Sequence, residues 1–583
     1  MKTRWFWITT LILLLALVAI YGQTWNFGFL SYDDEGYTVN CPFVKDGLSV
    51  ANLVAAFRDP AWGGIWMPVT YASYMATISI FGEAPGLQHL VSLLFHCINT
   101  ILFLVFLLKL AAKLHLSPSP LFIFLATALW ALHPLRVESV AWVASRKDTL
   151  FTFFTLLGLL AWLKALSKSS NISPIFYFLT ILCMIFGCMS KPTAMVFPAL
   201  AFSLEMLVLN DFSLFHSPRR WLKYIPLLAM SIATAALAAY SQTHATGEAP
   251  HPLFYSTFSW RILNAAVSLG LYFYHTAIPE GLQFWYRPVR DGIPLCTPIA
   301  LASLTTLSIA TICLLIKASV RVRLIITACI IWFFAAISPT LGIAGSFGNH
   351  ALADRFTYVP AMAFSIFIVL ATPCRPIPKI LTNILIVIPA FYAVLAARYT
   401  ATYRDNMTAF ANIAHHDPLH CYAWTNIGSE IILRTGDIEK GIAYFRKSIE
   451  IFPTDEAKEE LAIALITRND PKDEAEIVSI CMEGLNPVAN KPIPIIPYER
   501  DMKGFRSEAL GVIATRHHDW GNAIICFKTA IERDPSREDC RMRLAMSLWN
   551  AKRHNEARPH LTILSQSSRP DISAKARELI NTL

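Results

Sequence analysis

Long apolar runs recur along the first 400 residues, and they constrain the fold more than any other feature of the sequence. An α-helix needs about 20 residues to cross a hydrocarbon layer of about 30 Å, and several runs approach that length. Hydrophobic residues make up 55% of the chain and charged residues 15%, which is more apolar than a soluble core requires. We therefore predict an all-α, polytopic membrane domain over residues 1–400. The runs are 5–21, 87–110, 121–132, 149–166, 174–189, 193–209, 221–240, 260–278, 295–316, 324–341, 356–371 and 380–397.

Basic residues between the apolar runs predict the orientation of the helices. Their clusters can all be cytoplasmic only if one run between residues 240 and 295 does not cross. The candidate is run 260–278, in which polar side chains follow one helical face: Arg261, Asn264, Ser268, Tyr272 and His275. Two interpretations remain open. As an interfacial or re-entrant helix, which we favour, this run leaves about eleven spans and an extracytoplasmic C-terminus. As a crossing helix that lines a cavity, it puts the C-terminus in the cytosol.

Composition also argues against several classes of protein. The net charge of +9 is not the signature of a nucleic-acid-binding protein, since Lys and Arg are spread between apolar runs. The twelve cysteines are scattered without a CxxC pair, so neither a disulfide framework nor a zinc site is expected. The sequence has no GxGxxG or Walker motif to bind a nucleotide. An activated donor would therefore have to come from the lipid phase.

After residue 400 the composition changes to that of soluble helices, and a repeat begins. Small residues recur with a spacing of 34 residues within each of two pairs: Gly441 with Ala475, and Ala523 with Ala557. This period is typical of tetratricopeptide repeats, in which paired helices pack through small residues. We predict a domain at 401–583 with four such repeats and a terminal helix at 573–583. A Pro-rich insertion around residues 488–501 interrupts the array.

Three consecutive carboxylates, Asp33, Asp34 and Glu35, follow the first apolar run. At that position a carboxylate could meet both water and lipid-borne substrates and take a proton from an acceptor hydroxyl. The alternative is loop charge that is simply solvated. Glu138 lies in segment 133–148, which we place in the next extracytoplasmic loop, and it is a further candidate carboxylate.

Basic residues that do not belong to the cytoplasmic clusters fall on the predicted extracytoplasmic side, where they are candidates for holding a phosphate. They are Arg146, Lys147, Lys191, Arg287 and Arg355. Two alternatives stay open. Local ion pairs could merely anchor two helix ends, in the combinations Arg136 with Glu138 and Arg146 with Asp148. A single cation at this level is also often a snorkelling interface residue.

One set of motifs extends over nearly the whole chain. It comprises Tyr32-Asp-Asp34, Met67-Pro-Val-Thr70, His89, segment 133–142 (His-Pro-Leu-Arg-Val-Glu-Ser-Val-Ala-Trp), Arg146-Lys-Asp148, Ser190-Lys-Pro192 and segment 353–360 (Ala-Asp-Arg-Phe-Thr-Tyr-Val-Pro). Together with the repeats, this set resembles bacterial relatives of the transmembrane and tetratricopeptide-repeat O-mannosyltransferases. The resemblance implies a GT-C glycosyltransferase fold, a sugar donor carried on a polyprenyl phosphate, and a catalytic acidic residue in the first extracytoplasmic loop.

The resemblance also implies roles for individual residues. Asp33 or Asp34 is the expected base and Glu138 a supporting acid. From their side-chain chemistry, as argued above, we expect the five cations to bind the donor phosphate. Candidates for lining the same cavity are Glu35, His89, His133, Asp354 and Tyr358. No metal site is predicted from the residues. A divalent cation stays open as a cofactor, because some members of this fold use one and others do not.

The predicted function is inverting transfer of a mannose-like sugar from a polyprenyl-phosphate carrier to an extracytoplasmic acceptor such as a protein Ser or Thr hydroxyl. The expected partners are the lipid-linked donor, the membrane, and a protein or glycan acceptor docked on the repeats, without nucleic acid. The expected location is the bacterial inner membrane, with the repeats extracytoplasmic. The alternative is a non-catalytic scaffold whose repeats assemble an envelope complex. A transporter is not favoured, since the spans show no matching repeats broken by Gly and Pro.

Overall fold

A computed structural model of the chain describes residues 2–60, 62–166, 173–209, 218–244, 257–287, 297–343, 352–371, 379–482 and 504–582. These residues contain many helices and no strand, which confirms the predicted all-α class. The chain forms two compact units, Met1–His416 and Asp417–Leu583.

The sequence predicts a domain boundary after residue 400, whereas the first unit also includes the helix Asn406–His416. Two contacts explain why this helix packs with the membrane unit. Asn412 Nδ2 donates a hydrogen bond to the carbonyl oxygen of Leu282 at 2.8 Å. The rings of Phe410 and Phe284 lie edge to face, with their centroids 5.4 Å apart.

The described part of the first unit consists of helices with loops and 3-10 turns between some of them. Several of them begin with proline, whose fixed φ and missing N–H suit the first helical turn. The α-helices are α1 Lys2–Tyr21, α2 Asp34–Tyr37, α3 Val50–Arg58, α4 Pro68–Phe81, α5 Pro85–Lys113, α6 Pro120–Ala131, α7 Val137–Ala141, α8 Arg146–Ala165, α9 Pro174–Ser190, α10 Phe197–Leu209, α11 Pro218–Trp221, α12 Ile225–Thr243, α13 Phe258–Ala277, α14 Thr297–Lys317, α15 Val320–Ile337, α16 Met362–Ala371, α17 Lys379–Thr400 and α18 Asn406–His416.

Within the described ranges, nine helices are long and apolar enough to cross a membrane. A tenth is added if the bent pair Pro120–Ala131 and Pro134–Ala141 counts as one span. The sequence predicts about eleven. When the bent pair is counted as one span, the difference is α9. This helix is apolar but only 17 residues long, below the about 20 residues that span a bilayer without tilt or thinning.

Helix α13 is not among these candidate spans. Most of its polar stripe faces the interior of the unit, where four of its side chains are buried: Asn264, Ser268, Tyr272 and His275. The helix also approaches α14 closely at Gly270, where an added Cβ would lie 1.9 Å from the carbonyl oxygen of Ala300. The stripe is therefore shielded from lipid by protein. Whether α13 crosses the membrane stays a prediction.

A proline separates α6 from the segment that follows it. Pro134 has no backbone N–H to donate, and the residue before it, His133, takes an extended conformation with φ −69° and ψ 135°. The chain bends by 57° between Pro120–Ala131 and Pro134–Ala141. Residues 130–152 are all buried. The bend therefore brings the charged side chains of this segment into the interior of the first unit.

The second unit contains, in its described part, four helix pairs and a terminal helix that pack in chain order, which confirms the predicted helical repeat region. Its helices are α19 Cys421–Thr435, α20 Ile438–Ile451, α21 Asp455–Arg468, α22 Glu474–Met482, α23 Phe505–Arg516, α24 Trp520–Arg533, α25 Glu538–Asn550, α26 His554–Leu564 and α27 Pro570–Asn581. Small residues let paired helices approach. An added Cβ on Gly428 or Gly511 would lie 2.7 Å from the ring of Phe445 or Phe527. The predicted insertion around 488–501 lies outside the described residues.

Candidate active site

Asp33 lies in the loop after α1, directly before α2. Its backbone has φ 68° and ψ −36°, a strained conformation of the kind that clusters at functional sites. Aspartate and asparagine tolerate positive φ better than other residues with a side chain. The half-buried side chain makes no hydrogen bond or ion pair with any residue that the structure describes. Asp33 therefore offers a carboxylate whose oxygens accept no hydrogen bond from the described residues.

Asp34 has the opposite environment, although it is the next residue. Its side chain is fully buried. One carboxylate oxygen accepts a hydrogen bond from the backbone N–H of Leu30 at 2.9 Å, and the other accepts from the N–H of Ala144 at 2.7 Å. Burial raises the pKa of this carboxyl to about 8, against the lowering effect of the two backbone N–H groups. Asp34 thus ties the first loop to the turn before α8. Glu35, the third carboxylate, is exposed.

Glu138 and Arg355 form a buried ion pair. The Arg355 guanidinium donates to one carboxylate oxygen of Glu138, and the backbone N–H of Arg355 donates to the other at 2.7 Å. Glu138 is fully buried and Arg355 is 6% exposed. The guanidinium also packs on aromatic faces, 5.0 Å from the ring centroid of Trp142 and 4.9 Å from that of Phe356. These contacts fix the position of a cation inside the unit.

Two lysines are held near this pair. Lys191, in the turn after α9, lies 2.5 Å from the Asp148 carboxylate, and both residues are buried. Lys147 lies 4.5 Å from the ring centroid of Tyr37 and makes no hydrogen bond or ion pair within the described part of the chain. Lys147 is also within electrostatic range of Asp33. An ammonium group without a carboxylate partner is suited to binding an anion.

Together these residues form a charged group that we call the Asp33 cluster: Asp33, Lys147, Lys191 and Arg355, with the acids Glu138 and Asp148. Electrostatic interactions connect Lys147 with Lys191 and Arg355, and Arg355 with Asp33. A narrow pocket beside the cluster is lined in part by Asp148, Lys191, Thr193 and Arg355. The cluster combines a carboxylate that can accept a proton with three cations that can hold a phosphate.

The cluster corrects one alternative interpretation of the sequence. Glu138 and Asp148 do not pair with their local neighbours Arg136 and Arg146. Their partners are Arg355 and Lys191, which come from distant segments of the chain. These acids therefore join separate elements and do not merely anchor two helix ends.

Two predicted phosphate-binding residues lie outside the cluster. The fully buried Arg146 guanidinium donates to oxygens of Gln88, Ser73 and Thr77 at 2.5 to 3.2 Å, and it packs on the ring of Tyr74. It connects α4, α5 and α8. Arg287 is half-buried, at the end of the described segment 257–287.

The predicted cavity-lining residues are mostly engaged in internal hydrogen bonds. His89 bonds to the carbonyl oxygen of Gly28 at 3.1 Å, and His133 to that of Thr276 at 3.0 Å. The Tyr358 hydroxyl bonds to His96 Nδ1 at 2.5 Å. His133 borders a cavity of about 210 Å³, which is a different cavity from the one at the cluster.

Asp354 is held by two tyrosines that the sequence analysis does not single out. Tyr286 and Tyr399 donate hydrogen bonds to its two carboxylate oxygens at 2.8 and 3.1 Å. Because Asp354 directly precedes Arg355, these bonds help to hold the guanidinium in place. The only signal in the sequence is the abundance of tyrosine near the charged segments. In the described residues, no group of three or more His, Cys, Asp or Glu side chains could hold a metal ion.

Comparisons with known proteins identify a repeat in the second unit and distant relatives of the chain. A family model for the tetratricopeptide repeat matches residues 422–455, which cover α19 and α20. Protein O-mannosyl-transferase Tmtc1 of Drosophila melanogaster is 32% identical over 152 residues, or 24% of this chain and 16% of the relative. Human protein O-mannosyl-transferase TMTC1 is 25% identical over 177 residues, or 28% of this chain and 19% of the relative.

This chain is a distant relative of those proteins. The alignments span less than a fifth of the length of each relative and about a quarter of this chain. They support the predicted resemblance at the level of the family, together with the membrane helices and the repeat.

Proposed function

We propose that this chain is an integral membrane glycosyltransferase that moves a mannose-like sugar from a polyprenyl-phosphate carrier to a hydroxyl group on the extracytoplasmic side. The observation that carries the proposal is the Asp33 carboxylate. It follows a strained backbone, makes no hydrogen bond or ion pair in the described part of the chain, and is within electrostatic range of Lys147 and Arg355. The names of the distant relatives support the same reaction class. A protein Ser or Thr hydroxyl is the acceptor that those names suggest.

In the proposed reaction the acceptor oxygen attacks the anomeric carbon of the donor sugar. Asp33 takes the hydroxyl proton, while the bond from the anomeric carbon to the phosphate oxygen breaks. The polyprenyl phosphate leaves with the electron pair, and Lys147, Lys191 and Arg355 stabilise its charge. A single displacement inverts the configuration at the anomeric carbon. Phosphate is a good leaving group, so the proposal requires no protonated side chain beside it.

Asp33 is preferred over Asp34 as the base for a geometric reason. Both oxygens of Asp34 already accept backbone hydrogen bonds in a fully buried site, so no oxygen is left for a substrate. Glu138 is engaged in the same way by Arg355. We therefore assign to Asp34 and Glu138 the role of positioning residues, and to Asp33 the proton transfer.

The substitution Asp33→Asn tests this assignment. Asparagine also tolerates positive φ, so the loop keeps its conformation while the base is removed. We expect at least an approximately 100-fold loss of sugar transfer with unchanged thermal stability, the usual scale for removal of a general base. The matched control is Glu35→Gln, which neutralises the exposed carboxylate two residues away and should retain activity. Near-normal transfer by the Asp33 variant would contradict the proposal.

The same pair of variants tests the rival interpretation, a membrane scaffold without catalysis. A scaffold would keep its partners and its cellular phenotype when Asp33 becomes Asn, because the overall fold is preserved. An enzyme loses the phenotype together with the transfer activity.

The proposal also includes a location. We propose that the chain resides in the bacterial inner membrane and that its repeats are extracytoplasmic.

A further inference from the structure

A second cavity lies in the first unit between α6, α13, α16 and α17, with a volume of about 210 Å³. Its apolar wall includes Leu129, Phe364 and Ile368, and its polar side includes His133 and Arg136. None of its lining residues is shared with the pocket beside the Asp33 cluster. The proposed transfer reaction makes no use of this cavity.

Almost all polar side chains around this cavity are satisfied by the protein. His133 bonds to the carbonyl oxygen of Thr276, and its Nδ1 accepts from the N–H of Leu135 at 3.1 Å. The hydroxyl of Tyr392 donates to the same Thr276 carbonyl at 3.3 Å. Ser365 Oγ donates to a carbonyl of α6 at 2.6 Å. These groups have no need of a ligand.

Arg136 is the exception. It is 1% exposed, and its side chain makes one hydrogen bond to the described residues, from Nη2 to Thr357 Oγ1 at 2.5 Å. Its Nε and Nη1 atoms have no hydrogen-bond partner in the described residues, and no carboxylate there forms an ion pair with it. The ring of Tyr358 lies 5.4 Å from the guanidinium carbon and offers only a weak cation–π contact.

No carboxylate in the described residues contacts the Arg136 guanidinium, and Asp354 and Asp148 attract it only at longer range. Its lost hydration is therefore only partly compensated, which is unfavourable for a buried charge. An anion in the adjoining cavity would supply both the charge and the missing acceptor oxygens. A phosphate group matches the planar donor fork of arginine particularly well. The apolar wall between α6 and α16, in turn, fits a hydrocarbon chain.

We propose that this cavity binds the headgroup end of one lipid, with its phosphate beside Arg136 and the adjoining carbons against Leu129, Phe364 and Ile368; a volume of about 210 Å³ takes only this part of the lipid. The lipid is a bilayer phospholipid or the polyprenyl-phosphate carrier, which present the same chemistry to the site. The lipid does not take part in the transfer at the Asp33 cluster. The proposal therefore stands or fails independently of the proposed function.

The test measures lipid retained by the full-length protein after purification in mild detergent. Mass spectrometry of the extracted lipid should show about one phosphate-bearing lipid per chain. The variants Arg136→Gln and Ala361→Phe should each retain at least about tenfold less, the scale of a lost charge-assisted contact. Ala361→Phe fills the cavity and leaves Arg136 in place, so it decides the result if the arginine variant does not fold. Arg446→Gln, at an exposed arginine of the second unit, is the control and should retain the lipid.

Adding lipids back to stripped protein identifies the source. Phosphatidylglycerol and a polyprenyl phosphate are titrated separately, and binding is followed by native mass spectrometry. Preferential binding of either one that is lost in Ala361→Phe supports the site and names its occupant. Equal retention of lipid by the wild type and both cavity variants would overturn the proposal. So would a wild-type protein that carries no phosphate-bearing lipid and binds neither on addition.

Discussion

Asp33 and Asp34 are adjacent residues of the same type, yet the structure gives them different chemistry. Asp33 has a positive φ, and its side chain is within electrostatic range of Lys147 and Arg355. It makes no hydrogen bond or ion pair with the residues that the structure describes. Asp34 starts a short helix and is buried against backbone N–H groups. The sequence predicts a functional carboxylate in this loop but leaves open which of the two it is. The distinction depends on one backbone angle, which no local pattern encodes.

The raised pKa of Asp34 predicts a pH-dependent stability. The folded pKa of about 8 is above the ordinary value of 3.8, so the folded state holds a proton that the unfolded state releases. Its stabilising contribution is therefore complete below about pH 4 and is lost as the pH rises through about 8. We expect the unfolding temperature of the wild type to fall over this range relative to Asp34→Asn, which cannot titrate. If the unfolding temperatures of the two proteins depend on pH in the same way, the folded protein does not raise the pKa of Asp34.

The buried ion pair of Glu138 and Arg355 predicts that neutralising Glu138 strongly lowers the stability of the folded protein. Glu138→Gln keeps the size of the side chain but leaves the Arg355 guanidinium without its counter-charge. Removal of one partner of a buried ion pair typically destabilises a protein by about 3–5 kcal/mol. Thermal unfolding in detergent should show a clearly lower midpoint. The exposed Glu35→Gln should stay within about 0.5 kcal/mol of wild type, and equal midpoints for both variants would mean that the pair contributes little.

At the scale of elements, the helices follow closely from the apolar runs and the period of 34 residues. The pairing of charges does not. Glu138 and Arg355 are 217 residues apart in sequence, and Lys191 and Asp148 are 43 apart. Local spacing leaves Arg136 and Arg146 open as the partners, because spacing along the sequence does not show which distant turn packs against an acid. Pro134 predicts a break, but the burial of residues 130–152 depends on tertiary packing.

The close approach of α23 and α24 predicts that alanine has different effects on stability at two glycines of this helix pair, Gly511 and Gly521. An added Cβ on Gly511 would lie 2.7 Å from the ring of Phe527, so Gly511→Ala must push the helices apart. Overpacking of this kind destabilises by about 1–3 kcal/mol. Gly521 of α24 has space around it, and alanine there should be neutral or stabilising by up to about 1 kcal/mol.

Hydrogen exchange of α23 and α24 in the full-length protein measures this difference directly. Faster exchange in Gly511→Ala, with unchanged or slower exchange in Gly521→Ala, is the expected result. Equal protection from exchange in both variants would show that α23 and α24 can move apart without loss of stability. Glycine would then not be required at position 511.

At the scale of the whole molecule, the membrane unit and the repeat unit each have their own hydrophobic core. The change of composition near residue 400 predicts this division, although it does not reveal that Asn406–His416 belongs to the first unit. The charged residues of the Asp33 cluster all come from the first unit. In the second unit most ion pairs involve exposed side chains, as in Arg446 with Glu476, and such pairs contribute little to stability.

This division predicts separate roles for the two units. Four helix pairs exceed the three or so repeats that a stacked helical array needs, so residues 417–583 should fold alone as a soluble, helical domain. A chain truncated after His416 keeps every member of the Asp33 cluster. It should still hydrolyse the lipid-linked donor or transfer its sugar to a small soluble hydroxyl acceptor, while transfer to a protein acceptor falls. Donor binding and circular dichroism verify that the truncated chain is folded. If that folded chain binds donor but has lost both activities, the repeats complete the active site and the roles are not separate.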